Sequence, residues 1–165
     1  MRILGIDPGT VIMGYGVIET KDDNAKLVDY GVFKGSEHSP IQERLSYFYK
    51  EILAIISRHQ PDEMAVEQPF MAKNAKSALA IGRAQAIAML AAANRNIQIH
   101  EYTPAKVKLE VADYGASSKE QIQNMVRLQL DLPEVPQPSD AADALAVAIC
   151  HLRELQLKNL LDRGK

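Results

Sequence analysis

The stretch PSDAADALAVAIC places Asp140 and Asp143 three residues apart on an alanine-rich helical pattern, so both carboxylates fall on one helical face. That face continues as Ala144 and Val147 rather than as lysine or glutamate, which turns it toward the protein. Acids in a first helical turn favour the macrodipole by about 0.3–1 kcal/mol each. This bland reading suits Asp140 and is weaker for Asp143, a full turn in. Like charges at this spacing also repel by roughly a few tenths of a kcal/mol, and no lysine or arginine occurs between Arg127 and Arg153 to offset them. A divalent cation is the economical compensation, and hard oxygen donors, few in number, suit Mg²⁺.

Two further acids end strands. Asp7 closes RILGID, whose Ile3, Leu4, Gly5 and Ile6 are apolar on both faces, as in a central covered strand. Glu67 closes MAVE, the other run that reads as fully buried. Ligand sites in open α/β sheets lie outside the carboxyl ends of strands, so these two acids are expected to be neighbours. Four acids from two strand ends and one helix start suit a pair of metal ions about 3.5–4 Å apart, clamping the attacking and leaving oxygens of a phosphodiester. The chemistry would be phosphoryl transfer to water.

The elements that must position these acids follow from periodicity. RILGID, GYGVIE and LVDYGVF form three neighbouring strands, an antiparallel meander. Pro40 opens a helix through about Ser57 on the spacing of Ile41, Leu45, Phe48, Ile52, Ile55 and Ile56. A buried strand EMAVEQ, an alanine-rich helix from about Asn74 to Ala93, a strand IQIHEY and a helix opened by Pro104 come next. Ser117 and Glu120 have capping-box spacing for a helix to about Leu130, and Ser139 is placed to cap the last helix. Strands followed by alternating helices and strands give an α/β fold with helices on the faces of a sheet. The 165 residues suit one domain, taken as 1–157 with a short tail at 158–165. The single cysteine, Cys150, excludes an internal disulfide, and no apolar segment reads as a signal or membrane span. A cytoplasmic location is the expectation. Net charge is −2, so composition alone carries no nucleic-acid signature; without the four acids the remaining chain is at +2, enough for a positive cleft.

GIDPGTVIMGYGV, AVEQPFMAKNAKSA, EYTPAKVK, SSKEQIQNMV and DAADALAVAICH, in this order, resemble the RuvC family of bacterial Holliday junction resolvases. The resemblance thins between about Asp22 and Gln60 and after His151. It implies a ribonuclease H-like fold, with a central mixed five-stranded sheet and helices on both faces. It further implies a homodimer that nicks opposed strands of a four-way DNA junction with two Mg²⁺ per site, Mn²⁺ being a plausible substitute, alongside the RuvA and RuvB branch-migration proteins. Carried over by motif, the metal-binding and catalytic acids are Asp7, Glu67, Asp140 and Asp143, the four reached by spacing.

The DNA-facing residues come from the same motifs. Phe70 follows the strand-ending Glu67 on a loop, where an aromatic either wedges against unstacked bases or folds back as a core lid. The family places DNA contacts at this loop and the helix start, which here carry Lys73 and Asn74. Lys108 and Lys119 match two basic positions that the family puts near the scissile strand; as isolated lysines they read as solvated surface. The alanine helix keeps one side small through Ala78, Gly82, Ala86 and Ala93, for intrachain packing or for the family's dimer contact. The chain departs from the family at Arg83-Ala84-Gln85-Ala86, where glutamine-alanine-arginine-glycine is usual, and at Asp113, where glycine is usual. His151 reads as a buried or surface histidine rather than a ligand, and Cys150 as a small core residue. Three rival readings are an actin-like ATPase fragment on the strength of DPGT, a junction-binding module without chemistry, and a nuclease of other branched DNA.

Overall fold

The computed structural model describes all residues except 22–23, 70–74, 113–114, 116 and 165. The chain begins with three strands, β1 (Arg2–Asp7), β2 (Ile12–Lys21) and β3 (Asn24–Lys34), followed by α1 (Ile41–His59) and β4 (Glu63–Glu67). Then come α2 (Ala75–Ala93), β5 (Gln98–Tyr102), α3 (Pro104–Ala112), α4 (Lys119–Gln129) and α5 (Ser139–Arg163). The five strands form one mixed sheet in the order β3-β2-β1-β4-β5. β1–β2 and β2–β3 are antiparallel, as the meander requires, and β1–β4 and β4–β5 are parallel. This is the expected ribonuclease H-like architecture.

Two cores explain why the interiors of β1 and β4 carry apolar residues on both faces. Leu4, Ile6, Met64 and Val66 pack under α1 and α2, while Ile3 and Ala65 face α3, α4 and α5. Strand alternation therefore sends Asp7, Glu63 and Glu67 to the α5 side. The helix α5 is buried continuously from Ala144 to Leu152 because it lies between the sheet and α3 and α4. A helix apolar on all sides belongs in such a position. Beyond Leu152 it projects outward and continues through residue 157 to Arg163, exposing Leu157, Leu160 and Leu161.

Glycines let α5 lie directly on the strands. A Cβ built on Gly14 of β2 would meet the backbone oxygen of Asp140 at 1.9 Å, and one on Gly5 of β1 would meet that of Ala144 at 2.1 Å. No side chain fits in either gap.

Two helix starts differ from expectation by one residue. The capping box of α4 is made by Ser118 and Gln121, each side chain accepting from the other's backbone N–H at 3.2 and 2.7 Å. Both serines have a suitable partner three residues on, but Ser117 is buried. Pro138, not Ser139, stands at the N-cap of α5, and its carbonyl accepts from Ala141 N–H. Ser139 is thus already helical, and Asp140 is the second residue of α5.

Candidate active site

Asp7 and Glu67 end β1 and β4, adjacent parallel strands whose register pairs Ile6 with Val66. Their carboxylates leave the same edge of the sheet on the same face. Asp7 also pairs with Gly14, the residue on which Asp140 rests. Close packing of α5 on β2 therefore delivers Asp140, and one turn later Asp143, beside the two strand ends. The four acids expected from spacing are brought together.

Their electrostatics show the strain of that assembly. Burial pushes Asp7 from 3.8 up to about 8, and the charges of Glu67, Asp143 and Asp140 add to the rise against a smaller opposing effect of Lys119. Glu67 is raised from 4.5 to about 7, by burial first and then by Asp143, with Lys119 and Lys108 opposing. Asp143 is raised by burial, with Asp140 adding and Lys119 opposing. Such a cluster cannot be fully ionised near neutral pH without added positive charge.

Part of that charge comes from far away in sequence. Lys119, the first residue of α4, places Nζ 2.7 Å from Asp143 Oδ2. Burial works to lower the Lys119 pKa, but its bond to Asp143 and the charges of Asp143, Asp140 and Asp7 outweigh this and raise it. The absence of a nearby basic residue in sequence thus does not leave Asp143 unpaired. Even with Lys108, which also acts on Glu67, two ammoniums among the described residues face four carboxylates.

Beside the acids lies a cavity of about 190 Å³, with Glu67, Asp143, Lys108 and Lys119 among its polar lining and Val107, Ile122 and Ala146 among its apolar lining. Lys108 and Lys119 are thereby placed together next to the acid cluster. Phe70, Lys73, Asn74 and Asp113 fall outside the described residues. Arg83 is exposed on α2, whereas Gln85 turns inward and donates to Glu101 at 2.8 Å. The inward stripe of α2 is Ala84, Ala88, Ala91 and Ala92; Gly82 and exposed Ala86, with buried Ala78 at their base, line an open groove beside exposed Leu79.

The donor set fits hard divalent ions: all four groups are carboxylates, two of them raised to or above neutral pH by burial and by the neighbouring acids. A different, tighter group able to hold a metal was not found from sequence. It comprises Glu63, His100 and His151, at the opposite end of β4, and its ligand atoms all lie within 4.8 Å of one another. Its residues come from three separate elements, so no spacing announces it.

A mixed sheet with acids at the ends of two adjacent strands and at the start of a helix laid across them defines a ribonuclease H-like nuclease. Comparison with known proteins narrows this further. The family model for "Crossover junction endodeoxyribonuclease RuvC" matches residues 3–151. A protein of that name from Dehalococcoides mccartyi is 56% identical over 99% of this chain and 98% of its own. Another, from Desulfitobacterium hafniense, is 49% identical over 96% of each. The solved structure of T. thermophilus RuvC in complex with a Holliday junction substrate superposes with a TM-score of 0.90 at 34% identity, over 96% of both chains. The chain belongs to the RuvC family of crossover junction endodeoxyribonucleases, hydrolases acting on DNA. That membership sets aside the ATPase and non-enzymatic readings.

Proposed function

We propose that this chain resolves four-way DNA junctions by paired, symmetric nicks, with Asp7, Glu67, Asp140 and Asp143 holding two Mg²⁺ ions at the scissile phosphodiester. The observation that carries this is a set of acids the fold has buried together, so that burial first and mutual repulsion second raise Asp7 to about 8 and Glu67 to about 7. Bound divalent ions would supply charge neutralisation and an activated water. The chain's own work is positional. β1, β4 and α5 fix the carboxylates, and Lys108 and Lys119, which line the same cavity, hold the phosphate and offset charge that develops on its oxygens. Phe70, Lys73 and Asn74 engage the unstacked bases and backbone near the crossover, by family resemblance.

A homodimer presenting two such sites suits the twofold character of a four-way junction. The outward groove of Ala78, Gly82 and Ala86, with Leu79 exposed at its side, is the face we assign to that contact. RuvA and RuvB are the partners implied by the family, and the cytoplasm is the location; no helix among the described residues is long and apolar enough to cross a membrane.

Purified protein incubated with labelled four-way, three-way and linear DNA, with and without Mg²⁺, tests this reading. The expected products are two nicks symmetric about the junction centre, seen only with the divalent ion. Equal cleavage of linear duplex would end it.

Lys119 gives a sharper test of the phosphate role. Lys119→Ala should lower single-turnover cleavage by roughly 10²-fold, as for loss of one fixed donor at developing charge, while junction affinity changes little. A fall in affinity alone would reduce Lys119 to a contact that only holds DNA.

A further inference from the structure

The two ends of β4 carry two different groups. Glu63 and Glu67 share the α5 face of the strand and are separated by about 13 Å at 3.3 Å per residue. Along α5, Asp143 and His151 are separated by about 12 Å at 1.5 Å per residue. The same pair of elements therefore places acids at one end and, at the other, Glu63, His151 and the β5 residue His100.

At that second end, two imidazole nitrogens converge on one carboxylate oxygen. Glu63 Oε2 lies 2.6 Å from His151 Nε2 and 2.9 Å from His100 Nε2. The two rings stack with centroids 4.2 Å apart. His151 is 1% exposed, and the Nε2 atom of His100 is buried without a hydrogen-bond partner despite its short approach to Glu63. His151 Nδ1 is 2.7 Å from the Tyr102 hydroxyl, whose pKa is raised by burial and by the neighbouring Glu154 carboxylate. If that hydroxyl donates to the Glu154 carboxylate, its oxygen accepts from His151 Nδ1–H, and His151 Nε2 turns a lone pair toward Glu63. A carboxylate oxygen facing that lone pair needs a cation between them. One proton satisfies one nitrogen; a metal ion satisfies all three groups.

We propose that Glu63, His100 and His151 form a second metal site, for a borderline transition ion such as Zn²⁺, with a further position open to water. Two imidazoles and one carboxylate are a donor set for Zn²⁺ or Co²⁺ and a poor one for Mg²⁺, which takes oxygen. Burial lowers the His151 pKa, keeping the ring in its neutral, ligating form. The Tyr102 hydroxyl at His151 Nδ1 is the outer-shell partner that fixes the tautomer and orientation of a metal-bound histidine. Tetrahedral bonds of about 2.0–2.1 Å put ligand atoms roughly 3.3 Å apart, so Glu63 would withdraw from each imidazole by less than about 1 Å and the two imidazoles, within 4.8 Å of each other, would close by at most about 1.5 Å. The ion would pin α5 to β4 and β5, and α5 is the helix that carries Asp140 and Asp143. The assignment does not depend on which residues perform cleavage.

The test is a Co²⁺ titration of the full-length, metal-free protein in excess Mg²⁺, read by visible absorption, with melting curves in Zn²⁺ as a second readout. Wild type should bind one Co²⁺ per chain with the intense bands of a four-coordinate, nitrogen-ligated ion, displaced by Zn²⁺, and Zn²⁺ should raise its melting temperature. His100→Ala and Glu63→Gln should each weaken binding by about 100-fold and Tyr102→Phe by about 10-fold, with circular dichroism verifying the fold of each. Asp140→Asn, in the acid cluster, should bind Co²⁺ as wild type does. Absence of the bands in wild type, their persistence in either ligand variant, or their loss in Asp140→Asn would overturn the site and leave a proton-bridged pair of histidines.

Discussion

Asp7→Asn is expected to make the metal-free protein more stable at pH 8 while lowering Mg²⁺-dependent junction cleavage on the order of 10³-fold or more, as when one member of a cooperating set is removed. The sign follows from linkage. Asp7 is raised from 3.8 to about 8 and Glu67 from 4.5 to about 7, so the folded protein holds protons that the unfolded chain releases. Below about pH 4 both states are protonated and the acids cost nothing. As pH rises from there to about 8, stability is progressively lost, by an amount on the order of a few kcal/mol when the metal is absent. The amide does not ionise, so the variant escapes Asp7's share of this loss and keeps that of Glu67: the two proteins should melt alike near pH 4 and diverge toward pH 8. Asp7 is a better probe than Asp143, because removing the Asp143 charge also deprives Lys119 of its partner at 2.7 Å. Saturating Mg²⁺ should raise the melting temperature of wild type more than that of the variant. Melting curves in chelator across this pH range, then in Mg²⁺, with single-turnover cleavage in parallel, check each part. Near-wild-type cleavage by Asp7→Asn would remove Asp7 from the site.

How much of this was legible in the sequence depends on how far apart the cooperating residues lie. Asp7 and Glu67 could be placed together because each ends a strand apolar on both faces, and such strands sit at the centre of a sheet, where they became the parallel neighbours β1 and β4. Asp140 and Asp143 were legible because helical spacing alone puts them on one face. The pairing of Lys119 with Asp143 was not, since α4 and α5 meet only through the tertiary fold. Local rules also tie: Ser117 and Ser118 each have a capping partner, and the buried position of Ser117 broke the tie. The grouping of Glu63, His100 and His151 escaped notice for the same reason as the Lys119–Asp143 pairing, His151 by itself reading as a buried or surface histidine rather than a ligand. One histidine on an apolar helix face looks like core until β4 and β5 bring up the other two groups.

Gly14 was read only as part of a strand, yet it sets the height of α5 above the sheet, and Gly14→Ala is the second large effect expected. The new methyl would stand 1.9 Å from the Asp140 backbone oxygen and 2.5 Å from its carbonyl carbon. Backbone cannot swing aside as a side-chain tip does, so the first turn of α5 must lift. Overpacking of this kind costs about 1–3 kcal/mol, occasionally more, or roughly 2–12 °C in melting temperature for a domain of this size. Activity should suffer beyond that. Asp140 is the residue displaced, and a shift of about 1 Å in a positioned group can cost on the order of 10²-fold in rate. Gly16→Ala supplies the comparison, because its methyl would meet the Leu145 side chain at 2.6 Å, more than a turn further along α5. Both variants should lose stability, but at temperatures where each is fully folded, Gly14→Ala should cleave far more slowly than Gly16→Ala. Equal residual activity would mean that the packing of β2 against α5 supports the fold without tuning the acids. Wild-type melting and cleavage in Gly14→Ala would show that α5 does not rest on Gly14.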